Sequence, residues 1–554
     1  MTAGSGTLPR ATIVMTARER HSLAEAAIDS IVAETARPFR FVYLDVQSPE
    51  WLREALARRS VEEALEVVRF DEPLWPHEAR KRVAASIDTD YTVFIDNDVQ
   101  VEAGWLDALV ACADETGAGI VGPLYLWGDG IGRSKIHMAG GKLTESVVEG
   151  GRVLAEAHGL FNADPRQVAG QLVRRPCDFV EFHCMLVRTE LLRDEAFLDP
   201  RIRCVHEHID VALQSIRRGL PVYFEPSSRV QYLAFSDFML DDLAFFRERW
   251  SAAEGEASID AFSGKWHVVN DDRSFGGVRG FLRSHVAQVD PIRPVRPVPA
   301  DRLAPMRADE LVQSRSALLD LAVRRGYEPE ELAMIARAHN LAQVLMDGGY
   351  RPCGRPFINH LVGTAGILVR YDFAVPAVAA GLLHAAYTHA APSRNGPGAA
   401  AKATCAALGG RGTSLERRVR AYTQRELRGG SSPVGVDVLP TLSVLEAEII
   451  AIEAANELDL LLSGEVRYSG QTDVIGQDAL RRIDHVCRIL GVTGLHDSLA
   501  PARAALVPVQ PGLATGMQGS YRIAPDRRSV VSMVSPAPLP VEDDASEVTM
   551  PSAH

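Results

Sequence analysis

Between residues 11 and 98, short apolar runs alternate with stretches of helical spacing. Ala11-Thr-Ile-Val-Met-Thr16 reads as a short buried strand, after which Leu23, Ala26, Ala27, Ile31 and Val32 keep a helical period. Phe41-Val-Tyr-Leu-Asp45 reads as a second strand that ends in a carboxylate. Residues 51–66 read as helical, Leu65–Phe70 as a third strand and Glu78–Ile87 as a further helix. In Val93-Phe-Ile-Asp-Asn-Asp98, three apolar residues run into two carboxylates one residue apart. This reads as a buried strand ending at a sheet edge, with Asp96 and Asp98 exposed beyond it. Strands alternating with helices predict an α/β unit with a mostly parallel, Rossmann-like sheet. Ligands on such sheets gather at the carboxyl ends of the strands, and Thr16, Asp45, Asp96 and Asp98 all fall there.

The residue types at those ends suit phosphate chemistry. Two neighbouring carboxylates hold a hard divalent cation and leave positions free for phosphate oxygens. Plainer readings account for the same residues. Asp-Asn-Asp after a strand also makes a turn whose side chains bond nearby backbone, and Asp45 also caps the segment after it. Glu207 and Asp210 are three apart on a helical stretch and share a face, which a solvated acidic face would do equally. Their position before the strand-like Gly219-Leu-Pro-Val-Tyr-Phe-Glu-Pro226 favours a site. His137 and His183 stand in apolar stretches, where hydrogen-bonded core histidines are the common case, and Trp105 reads as packing.

Taken together and in this order, the motifs over roughly residues 10–270 resemble family 2 glycosyltransferases with the GT-A fold. The resemblance implies a nucleotide-sugar site formed by Thr16, Asp45, Arg80, Asp96 and Asp98. Ala79-Arg80 falls where the family carries Ala-Arg-Asn, and Lys81 replaces the Asn. Asp96-Asn-Asp98 matches the family's Asp-x-Asp, which implies Mg²⁺ or Mn²⁺ on the donor diphosphate. Ile136-His-Met-Ala-Gly-Gly141 resembles a segment of rhamnosyl- and related transferases, and Phe179–Arg188 resembles the strand lining the acceptor side. Glu207-His-Ile-Asp210 resembles the family's Glu-Asp-x-Asp helix, whose second residue here is His208. That places the catalytic base among His208, Glu207 and Asp210, and imidazole serves as a base near neutral pH. The family's late metal-binding His is here Tyr232. The implied function is transfer of a sugar, with inversion, to the hydroxyl of a carbohydrate, lipid-linked or small-molecule acceptor. The alternatives are a non-catalytic nucleotide-sugar-binding scaffold, or a phosphohydrolase in the C-terminal half.

The composition changes after residue 286. Five prolines between 287 and 305 read as an extended linker. Residues 306–505 then carry Ala/Leu-rich helical patterns. Leu311, Ser314, Leu318, Leu319 and Ala322 form one, and Leu442, Leu445, Ile449, Ile452, Leu458 and Leu461 form another. The Gly/Ala-rich stretch 390–412 reads as a loop. Tyr350–His360 and Ala379–His384 resemble the HD-type domains of the RelA/SpoT family, in which His, His-Asp and a distant Asp bind a metal. His360 and His384 match, while Ala385 and Asn456 stand where the carboxylates belong. The resemblance therefore implies a degenerate, non-catalytic module, free to dock a protein partner. Residues 506–554, rich in Pro and Ser with an acidic patch at Glu542-Asp543-Asp544, read as disordered.

The 554 residues suffice for two or three domains, and 46% hydrophobic with 24% charged residues is ordinary for a soluble globular chain. The net charge of −13 disfavours nonspecific nucleic-acid binding. The 7 cysteines lack Cys-x-x-Cys spacing, the start lacks a signal sequence and no apolar run is long enough to span a bilayer. These features predict a cytoplasmic protein.

Overall fold

Apolar runs flanked by turn residues become strands throughout the first part of the chain. The computed structural model describes residues 8–17, 19–62, 65–128, 134–149, 151–233, 238–293, 299–390, 397–427, 442–469, 477–506, 520–523 and 530–532. It divides into two units, Met1–Gln288 and Val289–His554. The first unit begins with β1 (Ala11–Thr16), α1 (Ala24–Glu34), β2 (Arg40–Val46), α2 (Glu50–Glu62), β3 (Leu65–Phe70), α3 (Pro76–Ala84) and β4 (Tyr91–Asp96). It continues with β5 (Val99–Val101), α4 (Trp105–Thr116), β6 (Ile120–Trp127), β7 (Lys135–Met138), β8 (Gly141–Val148), β9 (Gly151–His158), β10 (Arg175–Cys177) and β11 (Cys184–Arg188). It closes with α5 (Glu207–Arg217), β12 (Val222–Tyr232), α6 (Leu243–Arg249), α7 (Ala252–Trp266) and α8 (Asp272–Val289).

The main sheet runs β10-β12-β6-β11-β4-β1-β2-β3. From β4 to β3 every pairing is parallel, and β1 and β4 are buried at every residue, as strands covered on both faces must be. The other half is mixed, because β11 inserts antiparallel between β4 and β6. That insertion positions the site. An antiparallel strand starts where its parallel neighbours end, so residues 181–183 arrive beside Asp96, with Cys184 opposite Ile95. Thr16 pairs with Asp96 in register. The strand expected from Phe179 begins only at Cys184. The two helices expected at 51–66 and 78–87 are shorter, ending at Glu62 and Ala84, and the second starts earlier, at Pro76, whose fixed φ suits a first helical turn.

The second unit is helical: α9 (Arg315–Arg324), α10 (Pro329–Leu345), the short β13 (Gly349–Tyr350), α11 (Phe357–Arg370), α12 (Val375–Leu383), α13 (Ala386–His389), α14 (Pro397–Ala407) and α15 (Ser414–Leu427). Then come α16 (Val444–Leu462), α17 (Val466–Ser469), α18 (Gln477–Leu490), α19 (Thr493–Ala504), β14 (Tyr521–Ile523) and β15 (Val530–Ser532). α11 and α16 form its centre. α11 is buried from His360 to Arg370, and the α16 N-terminus is closed by a capping box between Ser443 and Glu446.

One expectation is corrected here, and two gain local detail. The Ala-rich stretch read as a loop holds α14, since alanine is the best helix former, and Gly398 stands in the first turn while Gly409, Gly410 and Gly412 follow the helix; residues 391–396 lie outside the described residues. The tail is not wholly without order: Tyr521–Ile523 pairs with Gly349–Tyr350 and with Val530–Ser532, while 507–519, 524–529 and 533–554 lie outside the described residues. The proline-rich linker is packed at its C-terminal end, where buried Arg302 donates from Nε to the Gly491 carbonyl at 3.1 Å; residues 294–298 lie outside the described residues. All seven cysteines are free thiols. Among the described residues, no helix is long and apolar enough to cross a membrane.

Candidate active site

Asp96 ends β4 and Asp98 follows one turn residue later, where its carbonyl accepts the Leu233 N–H that continues β12. Neither is exposed beyond the sheet as the sequence suggested. They are 2% and 6% exposed, because Asn97 Nδ2 donates to the carbonyls of Glu19 (3.0 Å) and Arg20 (3.2 Å) and draws that loop over the strand end. The carboxylates are partnered. Arg20 Nη1 lies 3.0 Å from Asp98 Oδ2 and 3.3 Å from the Tyr232 hydroxyl. Burial pushes the Asp98 carboxyl up, Arg20 opposes that and Asp96 adds to it. Asp96 Oδ2 is 3.1 Å from His183 Nδ1, and its Oδ1 is 3.4 Å from Arg80 Nη2.

Arg80 is therefore not on the cleft wall, as a nucleotide contact would need. It is 0% exposed; its Nε donates to Thr16 Oγ1 at 3.2 Å and its guanidinium covers the Phe182 ring. It fixes Thr16 and Asp96 instead of reaching a ligand. Asp45 is also buried and acts as the cap that the plainer reading expected. One oxygen caps the Ser48 N–H at 3.1 Å and the other takes Arg69 Nε at 2.9 Å. Lys81 points elsewhere, donating to the Glu195 carbonyl.

The α5 residues separate by role. Asp210 faces inward: 0% exposed, it accepts from Trp266 Nε1 (2.8 Å), Lys265 Nζ (2.9 Å) and Gln214 Nε2 (3.0 Å). Its place among the candidate bases is corrected, because these bonds fill its lone pairs and tie α5 to α7. Glu207 is buried in the first turn of α5. His208 lies with its ring 5.4 Å from Phe179 and its Nε2 3.7 Å from Glu156 Oε2 on β9. Burial, the largest single influence, lowers its pKa, but the carboxylates of Glu156, Glu181 and Glu207 together outweigh that and the net shift is upward.

Reading the residues did not assign roles to His158, Glu181 or Arg20. His183 joins Asp96 and Asp98 in one group of ligand atoms within 4.8 Å of one another, and His137 and Glu181 in a second. The available signal was Glu181-Phe-His183, two polar residues spaced to share a face inside an apolar run. Tyr232, standing where the family carries a histidine, stacks on His183 with centroids 3.9 Å apart. The imidazole thus comes from β11's start and not from the end of β12. For Arg20 no sequence signal exists, since its position follows from a left-handed backbone at φ 57°.

In the second unit His360 and His384 do come together, their rings 5.3 Å apart. His360 Nδ1 meets Asp459, one turn beyond Asn456, at 2.7 Å, and Arg355 grips the same carboxylate at 2.7 and 3.0 Å. His384 Nδ1 faces the Gly381 carbonyl.

Residues 12–194 match the family described as Glycosyl transferase family 2. No curated protein matches the chain. Among solved structures, similarity is found to GalNAc-T7 with UDP, GalNAc and Mn²⁺ (17% identity, 41% of this chain and 43% of that one, TM-score 0.33). It is also found to the mannosyltransferase PcManGT from Pyrobaculum calidifontis with GDP-Man and Mn²⁺ (15%, 51% and 72%, TM-score 0.32). A third is S. aureus TarS 1-349 (12%, 67% and 90%, TM-score 0.29). The chain thus spans less than half of GalNAc-T7. The family match covers β1 to β11, the strands that carry Thr16, Asp45, Asp96 and Asp98, and residues 12–194 are a glycosyl transferase family 2 domain.

Proposed function

We propose that the first unit transfers a sugar from a nucleotide diphosphate donor to an acceptor hydroxyl, with inversion, through a GT-A type site. The observation that carries this reading is the meeting of Asp96 and Asp98 at the carboxyl edge of the parallel strands, within a family 2 match. The donor set fits a divalent ion, since two carboxylates and an imidazole nitrogen lie within 4.8 Å of one another. Mn²⁺ or Mg²⁺ held by Asp96 and Asp98 would neutralise charge on the departing diphosphate. Arg20, 3.0 Å from Asp98, adds fixed positive charge at the same edge. Arg80 and Asn97 keep the two carboxylates from turning away.

His208 is the base we assign. Of the three α5 candidates Asp210 is saturated, whereas His208 retains partial exposure at 17% of its side chain, with Glu156 to stabilise the imidazolium that forms when it takes the acceptor proton. Thr16 and Asp45, both 0% exposed like Arg80, back the donor side from the strand ends without lining it. The second unit is read as a degenerate HD-like docking module without phosphohydrolase turnover, because Arg355 occupies the carboxylate of Asp459 beside His360. A cytoplasmic setting agrees with the free thiols.

Thermal stabilisation by UDP-, GDP- and dTDP-sugars, with and without Mn²⁺, tests the reading. One donor should stabilise the protein only with the metal, and Asp98→Asn should abolish that shift while keeping the unliganded Tm, since Asn still accepts from Arg20. A metal-dependent shift unchanged in Asp98→Asn would refute the assignment.

A further inference from the structure

Beyond the Asp96–Asp98 edge, three imidazoles converge on one carboxylate. Glu181 Oε2 lies 2.8 Å from His137 Nε2 and 3.6 Å from His183 Nε2, and its Oε1 lies 3.4 Å from His158 Nε2. The four side chains are 11–22% exposed. The His137 ring packs 5.1 Å from that of His158 and 5.6 Å from that of His183. Glutamate binding three N–H donors is the plain reading, yet only the 2.8 Å contact is a good hydrogen bond; 3.4 and 3.6 Å exceed the usual range. Those wider gaps have another origin. Ligand atoms around a tetrahedral ion with bonds of about 2.1 Å stand about 3.4 Å apart.

We propose that His137, His183 and Glu181, whose ligand atoms lie within 4.8 Å of one another, bind a divalent transition-metal ion beside the Asp96–Asp98 pair, with His158 held against the other oxygen of Glu181. The donor types favour it: imidazole nitrogens suit Zn²⁺, Co²⁺ or Ni²⁺, while carboxylates and phosphate suit Mg²⁺ and Mn²⁺. His183 is oriented for the task. With its Nδ1 proton donated to Asp96 at 3.1 Å, the tautomer that satisfies that carboxylate, its Nε2 keeps a lone pair directed at the cluster. Ligating histidines commonly give their other N–H to a carboxylate in this way. The topology supplies the convergence: His137 comes from β7, His158 from the end of β9, and Glu181 with His183 from the segment leading into β11. The site does not depend on glycosyl transfer, and of its ligands only His183 also touches the Asp96–Asp98 group.

Cobalt titration of the metal-stripped full chain, read by the visible absorption of four-coordinate, nitrogen-bound Co²⁺, is the test. The band should form in the wild type and in Asp98→Asn. Glu181→Gln and His137→Gln should each weaken Co²⁺ binding by about 100-fold or more, beyond the 10–100-fold typical of losing an outer-shell partner. Circular dichroism checks folding, and should Glu181→Gln unfold, His137→Gln decides alone. Absence of the band in the wild type, or a band of unchanged affinity in folded His137→Gln, overturns the proposal. A band lost only in Asp98→Asn would mean one shared ion, and also overturns it. Loss of Mn²⁺-dependent donor binding with the band intact would count against the donor site alone.

Discussion

His208 is where the chemistry of a single residue is most exposed to test. Its pKa lies above the ordinary 6.5, since Glu156, Glu181 and Glu207 together outweigh burial, so it stays protonated, and unable to accept a proton, to a higher pH than a free imidazole. Turnover should therefore rise with pH through an inflection above 6.5 and fall on the acid side. His208→Ala should lose that inflection and about 10²- to 10⁴-fold in single-turnover rate, with donor affinity unchanged. A wild-type profile flat from pH 6 to 9, or a near-normal rate in His208→Ala, would exclude it as the base. In the second unit Glu457 illustrates the opposite sign. Burial, reinforced by Glu453 and only partly offset by Arg351, raises its pKa to about 8, and its Oε2 is buried without a hydrogen-bond partner. Between its ordinary 4.5 and 8 the unfolded chain has released a proton that the folded chain still holds. Stability therefore falls as pH rises through that window. Glu457→Gln should remove the slope and stabilise the protein near pH 8 by about 1 kcal/mol or more, roughly 2–4 °C in Tm. Melting curves from pH 5 to 9 for both proteins decide it; parallel curves would contradict the assignment.

At the scale of elements, close approach fixes how α11 meets α16. A Cβ at Gly363 would lie 1.8 Å from Asp459 Oδ1. That carboxylate cannot retreat, since Arg355 holds it twice and His360 once. Gly363→Ala should therefore destabilise the second unit by about 1–3 kcal/mol, although alanine favours a helix. Urea unfolding would measure the loss, and a stabilised variant would show that α11 and α16 pack otherwise. In the first unit the corresponding fixture is Asp210, whose bonds to Lys265 and Trp266 join α5 to α7. α5 then carries His208 on a rigid support, which a base positioned for proton transfer requires.

For the whole molecule, the division at Gln288 and Val289 leads to a direct experiment. Residues 1–288 contain every strand of the main sheet and all the side chains assigned to the donor. That fragment should fold and retain Mn²⁺-dependent donor binding within a few-fold of the full chain, as a unit with its own core does. Circular dichroism and the donor thermal shift report on it; a fragment that is unfolded while the full chain is folded would mean that the units share a core.

Local pattern was enough to read the alternation of strands and helices from β1 to β4. Burial of a strand or one face of a helix leaves a periodic trace, and Thr16, Asp45, Asp96 and Asp98 could be assigned to strand ends from that trace alone. The helical character of the described residues from 315 to 504, β13 apart, was legible for the same reason, except at α14, where nearby glycines masked a run of good helix formers. What surrounds those ends was decided by the tertiary structure. The antiparallel insertion of β11 brings His183 and Glu181 to Asp96, and a left-handed residue turns Arg20 onto Asp98. Packing against α7 withdraws Asp210 from the cleft, and packing on Phe182 withdraws Arg80. Each of these contacts joins residues tens to hundreds of positions apart. No local period records which strands become neighbours, so the carboxylates were visible in the sequence while their partners were not.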